Sequence, residues 1–141
     1  MSFQVLLDAP PHPARQASLR SIECVQSHDR EGWLALWHEQ GCIEDPVGVS
    51  PLDPAGQGHR GIAAITAFYD RVIAPSEVRF HIRQTFACGS ECANVGTITT
   101  RMTGGIVGRT ELVMVYKVDD QGKVVSLRAF WEFEQTAKDI F

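Results

Sequence analysis

The chain is expected to fold as an α+β domain: a curved antiparallel sheet covered by three N-terminal helices. Two observations carry that expectation. Apolar residues recur at helical spacing in the first half of the chain and alternate with polar residues in the second. The alternating segments are joined by short turns, and strands that follow helices as a block argue against βαβ units.

The 141 residues are enough for one domain with a core of its own. Hydrophobic residues at 44% and charged residues at 21% give an ordinary soluble balance. A net charge of −4 without a basic run argues against a nucleic-acid partner. No apolar run reaches the length of a membrane span, and the first seven residues lack a basic-then-apolar leader pattern. The expected location is cytoplasmic. No Cys-x-x-Cys occurs and the five histidines are scattered, so neither a metal site nor a cofactor is expected. Cys88 and Cys92 flank a Gly89-Ser90-Glu91 turn. Two free thiols suit a cytosolic chain, with a disulfide across the hairpin as the alternative.

In chain order, residues 1–13 carry Pro10, Pro11 and Pro13 and read as an N-terminal arm, leaving 14–141 as the single domain. Leu19, Ile22 and Val25 predict a first helix over 14–28. Asp29 caps a second, short helix with Trp33, Leu36 and Trp37 on one face, ended by Gly41. Residues 49–60, rich in Pro, Asp and Gly, form a loop expected to make the lip of a pocket. Gly61 opens the third helix, with Ile62, Ile65, Tyr69 and Val72 on one stripe.

The period then changes. Val78, Phe80, Ile82 and Phe86 alternate with polar residues in the first strand. Strands over 93–102, 106–118 and 124–133 follow, with turns at Thr103-Gly104-Gly105 and Asp119-Asp120-Gln121-Gly122.

Between helices and sheet lies the stretch Cys42-Ile43-Glu44-Asp45-Pro46-Val47-Gly48. Pro46 pushes Asp45 into extended geometry and Gly48 lets the chain turn. Asp45 is therefore expected at a strand-to-loop corner, pointing into a pocket.

The motif Glu44-Asp45-Pro46-Val47-Gly48, the run from Gly61 to Tyr69, and Asp120-Gln121-Gly122-Lys123-Val124 with Ala129-Phe130-Trp131 together resemble the ketosteroid isomerase branch of the nuclear-transport-factor-2-like, or SnoaL-like, superfamily. The resemblance implies a conical fold and a base that moves a proton from a carbon beside a ketone to a nearby carbon. It matches Asp45 to that base, Tyr69 to an active-site tyrosine and Trp131 to a pocket tryptophan. By ungapped counting, the family's oxyanion tyrosine falls on Ser21 and its protonated aspartate on Met114. Serine is a shorter donor and methionine donates nothing.

If the alignment holds, Thr97, Thr99, Met114, Tyr116 and Trp131 share inward parity, while Trp33, Trp37, Phe68 and Tyr69 close the helical side. Asp45, buried there, would have its carboxyl pKa raised, which suits a general base. Tyr69, Thr97, Thr99 or His59 at the lip are candidates for the missing donors. Such a cavity suits a small hydrophobic ligand or substrate.

Two function classes fit: an isomerase-like enzyme acting on a hydrophobic ketone through Asp45, or a non-catalytic protein that binds a small apolar ligand. Epoxide hydrolysis would need paired carboxylates and an arginine in the pocket, with Arg101 and Glu111 the nearest charges. The resemblance also implies a homodimer, with Val113, Val115 and Phe130 on the sheet's outward face.

Overall fold

The computed structural model describes residues 2–138. Helices α1 (Gln4–Asp8), α2 (Pro13–Gln26) and α3 (Arg30–Ala35) lead into strand β1 (Trp37–Glu44). The two-residue strand β2 (His59–Arg60) precedes α4 (Ile62–Phe68), which runs on as a π-helical turn over Tyr69–Ile73. Strands β3 (Glu77–Cys88), β4 (Glu91–Arg101), β5 (Val107–Val118) and β6 (Val124–Phe130) follow, then α5 (Phe133–Lys138). They form one six-stranded sheet in the order β2-β1-β6-β5-β4-β3. Its concave face is covered by the helices, as the sequence implied, with α2 packed on β3, β4 and β5.

Four local differences from the expectation have physical reasons. The sheet is mixed, because β1 runs parallel to β6, with Ile43 opposite Leu127 and Glu44 opposite Arg128. Trp37 and Gly41 accordingly belong to a strand, and the second helix stops at Ala35. The proline-rich arm is packed: Phe3 and Leu6 are buried, Leu6 only 2% exposed, and Ile82 N–H donates to the Ser2 carbonyl at 2.8 Å. Phe3, Val5 and Leu6 supply a short apolar face that the prolines do not interrupt, and the prolines begin only after α1 ends.

Phe86 is 57% exposed because the register shifts between Ile82 and Gln84, so alternation beyond that point is inverted. Gly96 faces this irregularity, and a Cβ there would collide with the His81 carbonyl oxygen. At the third helix, Ile65 is fully buried while Ile62 is exposed.

The hairpin cysteines point apart: Cys92 is buried opposite Ala87, and Cys88 is exposed opposite Glu91. Both are free thiols. No helix among the described residues is long and apolar enough to cross a membrane.

Candidate functional site

Asp45 follows β1 directly, and its peptide bond to Pro46 is cis. The chain is anchored just beyond, where Val47 N–H donates to the Ala129 carbonyl at 2.9 Å. This pins the Asp45 corner beside the end of β6, where Trp131 emerges. Trp131 Nε1–H donates to Asp45 Oδ1 at 2.5 Å. Both residues line a cavity of about 290 Å³ between the sheet and the helices.

The cavity is walled chiefly by apolar side chains. Leu112, Met114 and Tyr116 enter it from alternate positions of β5, while Trp33 and Phe68 close the helical side. Leu52 reaches in from the loop over 49–60. Burial strips the Asp45 carboxylate of water and pushes its pKa above the usual carboxylate range, whereas the Trp131 hydrogen bond and the charge of His59 pull it back. A carboxylate so placed is a stronger base than one in water.

The second polar feature is a hydroxyl pair. Ser21 Oγ accepts from Trp33 Nε1–H at 3.0 Å and from the Tyr116 hydroxyl at 3.0 Å. Indole can only donate, and the two hydroxyls share one hydrogen bond. One hydroxyl proton is therefore left over, and both residues line the cavity. Burial holds the Tyr116 phenol well above its usual pKa, the hydrogen bond to Ser21 opposes this, and the negative charge of Asp45 adds to it. The phenol stays protonated, a neutral donor within electrostatic reach of the carboxylate.

Of the residues expected at the site, Ser21, Asp45, Met114, Tyr116 and Trp131 meet around this cavity. The other five are not among its lining residues. Thr97 and Thr99 occupy the opposite parity of β4, where Thr97 Oγ1 donates to Glu111 Oε1 at 2.7 Å and accepts from Arg83 Nη1 at 2.7 Å. The inward positions of β4 are Ile98 and Thr100. Alternation says which residues share a face, not which face is inward, and Val95 and Ile98 pointed to opposite answers.

Tyr69 is buried against Trp33, with ring centroids 5.3 Å apart. Its charged neighbours are Arg30, Asp29 and Asp70, not Asp45. It is a core residue. Trp37 packs against Trp33 with ring centroids 5.5 Å apart and planes tilted by 59°, and it does not line the cavity. His59 lies behind Phe68, ring centroids 4.9 Å apart, rather than at the lip. The charges considered for epoxide hydrolysis are also elsewhere: Glu111 pairs with Arg83 at 2.6 Å on the outer face.

Sequence reasoning missed Ile98 and Thr100, as well as Val78 and Phe80 of β3 as pocket wall. The alternation of Val78, Phe80 and Ile82 was the signal for the last two.

Comparison with known proteins shows the family and the fold. A family profile described as SnoaL-like domain matches residues 19–127. The crystal structure of Delta 5-3-ketosteroid isomerase from Mycobacterium sp. is similar at 38% identity, covering 93% of this chain and 98% of that one, with a TM-score of 0.84. The RV0760c protein of Mycobacterium tuberculosis, solved in complex with estradiol-17β-hemisuccinate, is similar at 34% identity over 93% and 99% of the two chains, TM-score 0.85. An epoxide hydrolase from Mycobacterium tuberculosis shares the fold at 19% identity, with 90% and 88% of the chains covered and a TM-score of 0.75. No curated protein matches the chain.

Proposed function

The chain belongs to the SnoaL-like family, and from that premise we propose that it is a ketosteroid isomerase-like enzyme that moves a proton within a hydrophobic, steroid-like ketone. The observation that carries this reading is the Asp45 carboxylate, buried at the wall of an apolar cavity, with its basicity raised and one oxygen held by Trp131. The ligand class is supported by the two relatives named above, one an isomerase of Delta 5-3-ketosteroids and one complexed with estradiol-17β-hemisuccinate.

In the proposed reaction Asp45 removes a proton from the carbon beside the carbonyl and returns it to a second carbon of the same molecule. Charge builds on the carbonyl oxygen and is met by the hydroxyl proton left over in the Ser21–Tyr116 pair. Both oxygens of that pair are polarised by the Trp33 indole bonded to Ser21. Met114 contributes shape and no hydrogen bond. The oxyanion site thus rests on one neutral donor.

That economy favours one alternative, a protein on the same fold that binds a small hydrophobic ligand without turning it over. A single assay separates the two. A β,γ-unsaturated 3-ketosteroid is mixed with the protein and with Asp45→Asn, and the conjugated enone is followed in the ultraviolet. Turnover that disappears in the variant supports the isomerase. Quenching of tryptophan fluorescence by the steroid without enone formation supports the binding protein and sinks the isomerase.

We also propose a homodimer through the outward face of the sheet, where Phe130 is 42% exposed opposite Val113. Sedimentation that gives a monomer at high concentration would exclude it.

A further inference from the structure

The polar groups of the proposed reaction occupy only part of the cavity. The bond from Val47 N–H to the Ala129 carbonyl fixes the Asp45 corner beside Ala129, which pairs with Met114 of β5. The cavity continues along β5 past Leu112 to Thr110 and Gly108. Thr110 is four residues from Met114, roughly 13 Å at the rise of an extended strand. Proton transfer between two nearby carbons needs a short part of that length. The remainder must hold a portion of the ligand that does not react.

This remote end carries hydroxyls of its own, from Ser76, Thr100 and Thr110. Thr100 stands opposite Val78 of β3 and opposite Gly108 of β5. Ile98 and Met102 lie two residues to either side of it in the chain. All four of these neighbours also line the cavity, so they share its face with Thr100. Val78, Ile98 and Gly108 have no side-chain hydrogen-bonding atom, and the Met102 thioether is a weak acceptor. The hydroxyl is thus set in an apolar frame, and Gly108 leaves the place beside it without a side chain. By contrast Thr97, on the outer face of the same strand, is bonded to both Arg83 and Glu111.

The kind of group that fits follows from the lining. It includes no Lys, Arg or His, so an anionic group would meet no counter-charge there. A hydroxyl side chain both donates and accepts, and so suits a carbonyl or a hydroxyl equally.

We propose that Thr100, with Ser76 two residues before Val78, forms a specificity-determining subsite for a second, uncharged oxygen at the ligand's remote end. The proposal rests on the reading of the Asp45 corner as the reacting end. It adds that the ligand is a long apolar skeleton oxygenated at both ends.

The test compares two ligands across one substitution. Dissociation constants are read from quenching of tryptophan fluorescence by a β,γ-unsaturated 3-ketosteroid with a C17 carbonyl and by its 17-deoxy counterpart. Thr100→Val keeps the shape and the branching of the side chain. It should weaken binding of the C17 ketone by about tenfold, the usual worth of one neutral hydrogen bond, and leave the deoxy ligand unchanged. Equal changes for the two ligands, or no change for either, overturn the proposal. Should Thr100→Val not fold, Ser76→Ala, outside the sheet, carries the same comparison. A loss confined to the C17 ketone upholds the subsite, and its absence overturns it.

Enone formation is followed in the same samples. Selective weakening in a protein that turns nothing over upholds the subsite and rejects the isomerase. Turnover with equal effects on both ligands rejects the subsite and leaves the isomerase standing. Binding of neither ligand overturns both.

Discussion

The two ends of the space between α2 and the sheet make opposite use of buried polar groups. At the end away from the cavity, Arg15 Nε donates to Thr85 Oγ1 at 3.2 Å, and Thr85 meets Cys92 at 3.4 Å. Cys92 donates to Asn94 Oδ1 at 3.4 Å, Asn94 Nδ2 to Ser18 Oγ at 3.1 Å, and Ser18 to the Arg15 carbonyl at 2.8 Å. The chain of bonds returns to the residue where it began. Each of its members has a partner within the ring, and none lines the cavity.

At the cavity end the same kinds of group keep capacity in hand. Asp45 has one oxygen held by Trp131, and the Ser21–Tyr116 pair has one proton to spare. A closed ring of bonds ties α2 to β4; groups with spare capacity that face a cavity can meet a ligand. Polarity alone does not mark a functional site here, since both ends are polar. Residual hydrogen-bonding capacity does.

Substitutions can break that contrast. Asp45→Asn should reduce isomerase turnover by about 10²- to 10⁴-fold, the usual range for a lost general base. It should also stabilise the fold near neutral pH. The folded carboxyl has its pKa raised above the ordinary 3.8, so between these two values the folded chain keeps a proton that the unfolded chain has lost. Parent stability thus falls as pH rises through that window, and the variant lacks this loss. Thermal unfolding against pH should show the variant's advantage above the window and none below 3.8. An advantage independent of pH would contradict the assignment.

Ser21→Ala sits on both sides of the contrast. It strands the Trp33 N–H and removes the acceptor of Tyr116, at a cost of roughly 1–3 kcal/mol in denaturant unfolding. It should also slow turnover by about 10²-fold, as expected on disturbing an oxyanion donor. A loss of stability with no loss of rate would move Ser21 to the structural side.

Asn94→Ala is the matched change at the end away from the cavity. It should cost about 1–3 kcal/mol in the same unfolding measurement while leaving kcat and KM untouched. An altered KM would show that the two ends are coupled and break the comparison. Tyr69→Phe should do least. Its ring belongs to the core and its hydroxyl is not part of the cavity, so kcat/KM should match the parent. A marked fall would restore the catalytic role that the resemblance implied.

The amino-acid order by itself determined the fold family and much of the site. Helical spacing in α2, alternation in β5 and the Asp45-Pro46 corner are local signals, because period and proline geometry act over a few residues. The Pro46 corner singled out Asp45, the family resemblance singled out Ser21, Met114 and Trp131, and the parity read with that alignment added Tyr116; all five line the cavity, whereas Thr97 and Thr99 from the same parity do not.

Packing between distant segments decided the rest. Which face of β4 turned inward depended on the pairing of Ile98 with Thr110 and of Thr97 with Glu111, and these partners lie a dozen or more residues away. Strand β1 carries a glycine, and its parallel pairing to β6 joins segments that no local pattern connects. Phe3 and Leu6 are buried only because β3 lies beside them.

His59 stands apart in the same way. In the sequence it is one histidine among five in a loop. Its pairing opposite Ile43 and its packing against Phe68 bury it with a nitrogen left without a hydrogen-bond partner. Local order selects which elements form, since each costs or gains free energy within a few residues of itself. Only the assembled sheet and helices determine which polar groups find partners and which are left free.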